Sequence, residues 1–463
     1  MTFMAMDHNT FAVRSWPHGV GRDQEAPGQI IHRWNYPIAV FVRELSHLCA
    51  PGFIMLLGLG LVLLVQSRHR KGWTDTTLMK HIISRGVVLF LVSNTLGFVI
   101  TTGTAWLFNS VLVAIAVDYT IVGLLWLGLL RAEAVVSQAL DKAFSDSVEV
   151  SDEEDAPLLL GRLLALDNRR NGLWNYFNSS TIAQYAGSVL LAVLIIITTW
   201  WNVWLDPNNG HCFPAETDSG AVPEDSPALL TDFFRFWFFS INRAHIVSVF
   251  PPLAWISPAL VGVLYGRLVI ARPRPLSANA LAIVNTVIGF VLAVLFVLTR
   301  LLHFGNLTED CLRIDGQPPL QPGQNQYLQS VAAFFYDSKY PPDAAFFFYS
   351  LSGNFFLMAI LGVIPAAYSR KWLAPLLAYG QSALFFFVVH IFVLLGLGAI
   401  WVAVFGHDMD FDNDFFKGVH TGVDDWWGFW GNWVMTLGVM WPLCKRYALF
   451  KLTKGVDSLW RFF

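Results

Sequence analysis

The sequence predicts an all-α, polytopic transmembrane helix bundle of about ten helices, and three observations carry that expectation. First, 55% of the 463 residues are hydrophobic and only 14% are charged, against about 25% charged in soluble globular domains; mean hydropathy is +0.50. Second, apolar runs long enough to span a ~30 Å hydrocarbon core recur along the chain. Third, Lys and Arg gather in alternate connections between those runs, as membrane topology requires.

The runs lie near 48–66, 82–100, 106–130, 182–204, 246–266, 279–302, 344–368, 375–405 and 426–444. A further apolar segment, Thr2 to Met6, is too short to cross a bilayer, so the chain reads as opening inside a first helix that is truncated. If residues 1–8 form the outer end of that helix, the loops alternate sides. Segments 67–80, 131–180, 267–278, 369–374 and 445–463 then hold about 19 Lys and Arg, and the longer opposite loops about 9. The positive-inside rule places the first set, and the C-terminus, in the cytoplasm. The whole of 1–463 reads as a single transmembrane domain, with an acidic cytoplasmic insertion at about 141–175 and outer loops at about 205–245 and 303–343.

Charge and cysteine content exclude several classes. A net charge of -3 without a dense basic stripe argues against a nucleic-acid partner. The four cysteines, Cys49, Cys212, Cys311 and Cys444, are far apart and show no metal-ligand spacing, so no metal is expected. Cys212 and Cys311 fall one in each outer loop, where a disulfide suits an oxidising compartment. Asn306-Leu307-Thr308 fits the N-glycosylation pattern in that same compartment. The stretch Ser145 to Asp155 is acidic, lacks aromatic residues and reads as a disordered insertion. Trp426-Trp427-Gly428-Phe429-Trp430 reads as an interfacial aromatic belt. No P-loop, nucleophile elbow, HExxH or dinucleotide-binding pattern stands in a suitable context.

Ionisable groups within or beside a bilayer are costly and become functional candidates. Asp7-His8 closes the first apolar segment, where a carboxylate can orient an imidazole and raise its basicity; a polar pair capping a helix end toward water would use the same residues. His390, within Phe385-Phe386-Phe387-Val388-Val389-His390, lies in apolar surroundings that suit either a neutral catalytic imidazole or a hydrogen-bonded core residue. Asp118 reads as a structural group pairing with Arg85, His81 or a backbone amide. His81 and Arg85 share one face at the start of a helix whose N-terminus points to the cytoplasm, which outlines a phosphate site. Arg267, Arg272 and Arg274 add cations before another such helix start, with Ser277 as its N-cap; topological anchoring alone would also account for them.

Taken in order, several blocks resemble the membrane acyltransferase family related to heparan-alpha-glucosaminide N-acetyltransferase. They are Met4-Ala5-Met6-Asp7-His8; His47-Leu48-Cys49-Ala50-Pro51-Gly52-Phe53 with Gly58; Arg85-Gly86; Pro252-Leu253-Ala254-Trp255-Ile256 leading to Gly266-Arg267-Leu268; Lys339-Tyr340-Pro341-Pro342; and Tyr379-Gly380-Gln381-Ser382 running to His390. They extend over nearly the whole chain, and their order and spacing carry the likeness. The resemblance implies transfer of an acetyl group from cytoplasmic acetyl-CoA to a sugar-like amine or hydroxyl on the far side. The layout of charge fits that reaction: His81 and Arg85, with Arg272 and Arg274, would bind the CoA phosphates, and His8 with Asp7, alongside His390, would do base or nucleophile work. The enzyme that names the family carries an asparagine near the place of Asp7 and its catalytic histidine further along. His18, His32 and His47 therefore stand beside His8 as competitors.

The leading expectation is an integral-membrane, acetyl-CoA-dependent acyltransferase. Its expected partners are the lipid bilayer, the acyl-CoA donor and a sugar-like acceptor, with no nucleic acid and a homo-oligomer left open. Outer sequon and cysteines point to a eukaryotic secretory-pathway, vacuolar or plasma membrane. The alternatives are a secondary transporter or lipid-handling protein whose polar residues line a pathway, and a catalytically inactive membrane scaffold.

Overall fold

The computed structural model describes residues 1–15, 37–149, 179–206, 210–211, 235–239, 241–243, 246–271, 275–309, 321, 323–409, 420–455, 458 and 460. Helices dominate: α1 Thr2–Val13, α2 Pro37–Ser46, α3 Cys49–His69, α4 Asp75–Ile100, α5 Val111–Glu149, α6 Ser179–Trp204 and α7 Ile256–Tyr265. They continue with α8 Ala278–Leu302, α9 Ala344–Gly362, α10 Ala366–Trp372, α11 Ala374–Gln381, α12 Ala383–Phe405 and α13 Trp426–Leu452. Among the described residues, eight helical segments are long and apolar enough to cross a membrane, and the protein is an integral, multi-pass membrane protein. The ninth predicted run forms α13, which is 27 residues long; its Trp, Gly and Asn content keeps it outside the eight.

Local chemistry explains where the boundaries moved. The run predicted at 246–266 begins as strand, because Pro251-Pro252 cannot sit inside a continuous helix, and helix takes over only from Leu253. Pro365 separates α9 from α10, and the run expected at 375–405 breaks at Ser382 into α11 and α12. The acidic stretch begins within α5: residues through Glu149 are helical, since adding a residue to an existing helix is far easier than starting one. Side chains cap several starts, among them Thr74 accepting from the Thr77 N–H, Ser277 from Ala280 and Asp343 from Phe346.

Connections alternate between two ends of the bundle. One end carries Arg68, Arg70, Lys71, Arg370, Lys371, Lys445 and Arg446, and is called here the basic end. The other carries two small sheets. Strands β1 Leu107–Asn109, β2 Ile241–Arg243 and β3 Ile246–Ser248 assemble in the order β1-β3-β2, with β1 and β3 parallel. Strands β4 His407–Asp408 and β5 Thr421–Gly422 pair antiparallel.

Two packed clusters hold the helices together. One joins α3, α4, α5, α6, α7 and the start of α9 around Tyr119, Trp126, Trp255, Phe346 and Phe347. The other joins α1, α4, α5, α11, α12 and α13 through Met4, Ala5, Leu89, Leu112, Ala116, Tyr379, Phe386 and Met440. The outward face is apolar as well: Ile283, Val287, Phe290 and Val291 of α8 are all more than half exposed. Such a continuous exposed apolar face belongs in lipid.

Helices α3 and α7 cross with backbones nearly touching. A Cβ built on Gly58 would collide with the Ala259 carbonyl, and one on Gly262 with the Met55 carbonyl. In a bilayer, where lipid tails compete equally well for apolar surface, such close small-residue packing is a main source of helix association. Gly262→Val is therefore expected to destabilise the purified protein by about 1–3 kcal/mol or more, the cost of overpacking. Thermal unfolding in detergent reads the loss, and an unchanged midpoint would contradict the crossing.

Candidate functional site

The site begins with α1, a 12-residue helix wedged between α12 and α13. Polar side chains fix its register. Asn9, fully buried, donates from Nδ2 to the Phe429 carbonyl at 2.7 Å and accepts at Oδ1 from Asn432 Nδ2 at 2.7 Å. The Trp433 indole N–H donates to the Thr2 carbonyl at 3.0 Å. Gly398 on α12 lets the Ala12 carbonyl come so near that an added Cβ would lie 2.6 Å from it. The helix closes at Arg14, whose φ of 55° is left-handed.

That placement brings two of the sequence candidates into contact. His8, half-buried on α1, sets its Nδ1 2.9 Å from Nε2 of His390, which is fully buried on α12. The rings stack with centroids 5.1 Å apart and planes 18° from parallel. Protons can be assigned from partners. His390 Nδ1 lies 2.8 Å from the Phe386 carbonyl, which can only accept, so Nδ1 carries the proton and Nε2 a lone pair. His8 Nδ1–H therefore donates to His390, and the proton-accepting lone pair of neutral His8 resides on its Nε2. An aromatic column continues toward the basic end: His390 stacks on Phe386 at 5.2 Å, and Phe386 packs on Tyr379 at 5.0 Å.

Asp7, also half-buried, belongs to a wider set of ionisable groups. Cys49 lies within electrostatic range of the Met1 amino group, Asp7 and Lys339. Nearby in the fold, His47 Nδ1 approaches Asp337 Oδ1 to 3.2 Å with both side chains fully buried, an ion-pair distance rather than an aligned hydrogen bond. Glu44 and Asp337 both lie within electrostatic range of Tyr349. His47 stood among the competitors for the catalytic role. Asp337 and Glu44 did not, because each lies outside any motif; only burial beside His47 and Tyr349 singles them out. The loop that presents Asp337 and Lys339 is tied down by Asp343, whose Oδ2 accepts from the Leu307 and Ser338 backbone N–H groups at 3.2 and 3.4 Å.

No family model and no curated protein matches the chain.

The expected phosphate-binding cations fare differently from one another. Arg85 is half-buried with its guanidinium 5.1 Å above the Tyr119 ring, and its Nε is buried without a hydrogen-bond partner. His81, one turn nearer the basic end, packs edge-on against Trp73 at 5.5 Å. Arg272 and Arg274 lie outside the described residues, as do His18 and His32. Arg267 is engaged structurally, paired with Glu133, donating to the Gln184 carbonyl and lying over Trp126. Leu89 on α4 and Met4 on α1 share one packed cluster. Arg85 lies one turn, about 6 Å, to the basic side of Leu89, and His8 one turn to the sheet side of Met4.

Two expectations are revised by the surroundings of the residues concerned, and a third falls outside the described residues. Asp118 pairs with neither Arg85 nor His81; it is fully buried on α5 and neither carboxyl oxygen has a hydrogen-bond partner. Asn306 is 2% exposed. Its Nδ2 donates to Glu309 Oε1 at 2.6 Å and to the Thr299 carbonyl at 3.2 Å, while Arg300 Nη1 donates to its Oδ1 at 2.7 Å. A glycan would replace one of the two Nδ2 hydrogens and break one of these donations, and the buried side chain leaves no room for the sugar, so the folded arrangement does not accommodate modification of this sequon. Cys212 and Cys311 lie outside the described residues; the described segments leading to them meet where His211 and Glu309 form a parallel bridge. Among the described residues, no three His, Cys, Asp or Glu side chains are placed to hold a metal ion.

Replacing Asn432 with Ala leaves Asn9 Oδ1 buried without its donor. The expected cost is about 1–3 kcal/mol, read as a lowered thermal midpoint. His390→Phe keeps a planar aromatic ring at this position but removes the acceptor for His8 Nδ1–H, and is expected to change the 15N shifts and tautomer of the His8 imidazole. Identical His8 resonances in that variant would contradict the assignment.

Proposed function

We propose that this protein is an integral-membrane acyltransferase that takes an acetyl group from acetyl-CoA and gives it to a sugar-like amine or hydroxyl at the sheet end. The observation that carries this reading is the His8–His390 hydrogen bond, which orients a half-buried imidazole with its basic lone pair on Nε2. His8 Nε2 takes the proton from the acceptor N–H or O–H as the freed electron pair attacks the thioester carbonyl. The resulting tetrahedral intermediate collapses, the C–S bond breaks, and His8 returns its proton to the departing CoA sulfur. An acyl-imidazole route through the same nitrogen uses the same geometry. Arg85 is the candidate phosphate-binding cation for the donor, about one turn to the basic side of the packing layer it shares with α1. Asp7 supplies negative charge beside the imidazolium that forms during transfer. The basic end is the cytoplasmic side in this reading, following the positive-inside rule.

One observation favours a transporter instead: Asp118, buried in a membrane span without a hydrogen-bond partner, is the type of group that lines polar pathways. Calorimetric titration with acetyl-CoA separates the two, since the acyltransferase binds it saturably and the absence of binding at millimolar donor selects the transporter.

For the acyltransferase, His8→Ala is expected to reduce acetyl transfer by about 10²–10⁴-fold with expression and thermal midpoint preserved. Arg85→Ala is expected to raise KM for the donor by about tenfold or more, the scale of a lost hydrogen bond to a charged group, with kcat nearly unchanged. Both follow from radiolabelled acetyl transfer in proteoliposomes, and wild-type turnover by the His8 variant removes that residue from the mechanism. Thiol labelling of cysteines introduced at 8 and 85 is expected to report opposite sides of the membrane.

A further inference from the structure

At the basic end, α11 and α13 face each other across an open groove of about 530 Å3. The sequence builds both walls at helical spacing. On α13, Trp441, Lys445, Ala448 and Leu452 recur every three or four residues and therefore share a face. On α11, Ala374, Leu377, Ala378 and Gln381 fall at i, i+3, i+4 and i+7 and likewise share a face. Small side chains at Ala374, Ala378 and Ala448 leave the space between the walls unfilled.

The groove has two chemistries. Three cations line it, Arg370 from the last turn of α10 and Lys445 and Lys451 from α13, and no described lining residue is acidic. Lys451 Nζ donates to the Gln381 carbonyl at 3.3 Å, which holds one ammonium at the rim between the helices. Apart from Gln381 the rest of the lining is apolar, and it opens outward. Trp441, one turn deeper than Lys445 on its own face of α13, is 43% exposed, and Val434, three turns deeper, is 57% exposed, so an apolar strip descends from the cations along the lipid-facing side of α13.

We propose that this groove binds a glycerophospholipid with a net negative headgroup. Its phosphate lies among Arg370, Lys445 and Lys451, and its acyl chains run inward along Trp441 and Val434. Charge complementarity selects the anionic headgroup, because three clustered cations at the depth of the lipid headgroups attract an anion at about 1 kcal/mol each, or roughly fivefold in affinity. Exposed apolar side chains select a lipid over a soluble phosphate, since a water-soluble polyphosphate would leave them uncovered. The site is separate from the His8–His390 pair, and the proposal does not rest on acyl transfer.

The test is native mass spectrometry of the full chain, purified in detergent and exchanged against an equimolar mixture of dioleoyl phosphatidic acid and dioleoyl phosphatidylcholine. Phosphatidic acid is expected to be retained about tenfold or more over phosphatidylcholine. Arg370→Gln and Lys445→Gln, at exposed positions, are each expected to lower that preference by about fivefold. Lys80→Gln, an exposed cation at the same end but outside the groove, is expected to leave it unchanged. Equal retention of the two lipids, an undiminished preference in both groove variants, or an equal loss with Lys80→Gln would overturn the proposal. So would displacement of phosphatidic acid by millimolar coenzyme A, which would make the groove a site for a soluble polyphosphate.

Discussion

The constraint on which this structure depends is that polar groups inside lipid must find partners within the protein. Backbone amides meet it by forming helices, which is why apolar runs of this length can be little else. Side chains meet it locally. Thr95, Thr120, Thr198, Thr286 and Ser350 each donate to the carbonyl four residues earlier on their own helix. Asn202 and Asn354 instead bridge separate elements through backbone carbonyls. These polar residues of the spans are thus either silent within a helix or used as connectors between elements.

The connectors decide how α1 is held. Being short, α1 has little apolar surface of its own with which to bind the bundle. Its seat depends on Asn9 meeting Asn432, on the Trp433 indole reaching Thr2, and on the missing side chain of Gly398. The same seating delivers His8 to His390, residues 382 positions apart. Register and chemistry are therefore one problem here. A slip of one residue along α1 would rotate His8 by about 100° and break the Asn9 bonds together with the imidazole contact.

Arg300 and Asp118 show two ways of burying an ionisable group. Arg300 lies between Phe296 and Tyr327, with Asn306 accepting from one nitrogen and Glu309 joined to the network through Asn306 and Tyr327. Its charge is compensated by aromatic faces and a nearby carboxylate. Asp118 has no such surroundings. A carboxyl left without hydrogen-bond partners inside a membrane span costs stability, and groups of that type persist where a function uses them. In the Arg300 network the sequon asparagine is a structural member, which is why a three-residue surface pattern misleads there: the pattern contains no information about burial.

From the amino-acid sequence alone came the membrane class, the helical architecture and the approximate position of most spans, because hydrophobic length is a local property and lipid leaves the backbone no alternative. Ser277 as a helix cap was legible for the same reason, its partner being three residues away. His8 and His390 could each be singled out as ionisable groups in apolar surroundings, but their contact could not, and Asp337 and Glu44 carried no signal at all. Pairings across the chain, such as His8 with His390, His47 with Asp337 and Arg267 with Glu133, arise only when helices pack and their faces are fixed. Which polar groups end up satisfied, and which stay alone like those of Asp118, depends on that three-dimensional arrangement, since hydrogen bonds reach about 3 Å and take no account of separation along the chain.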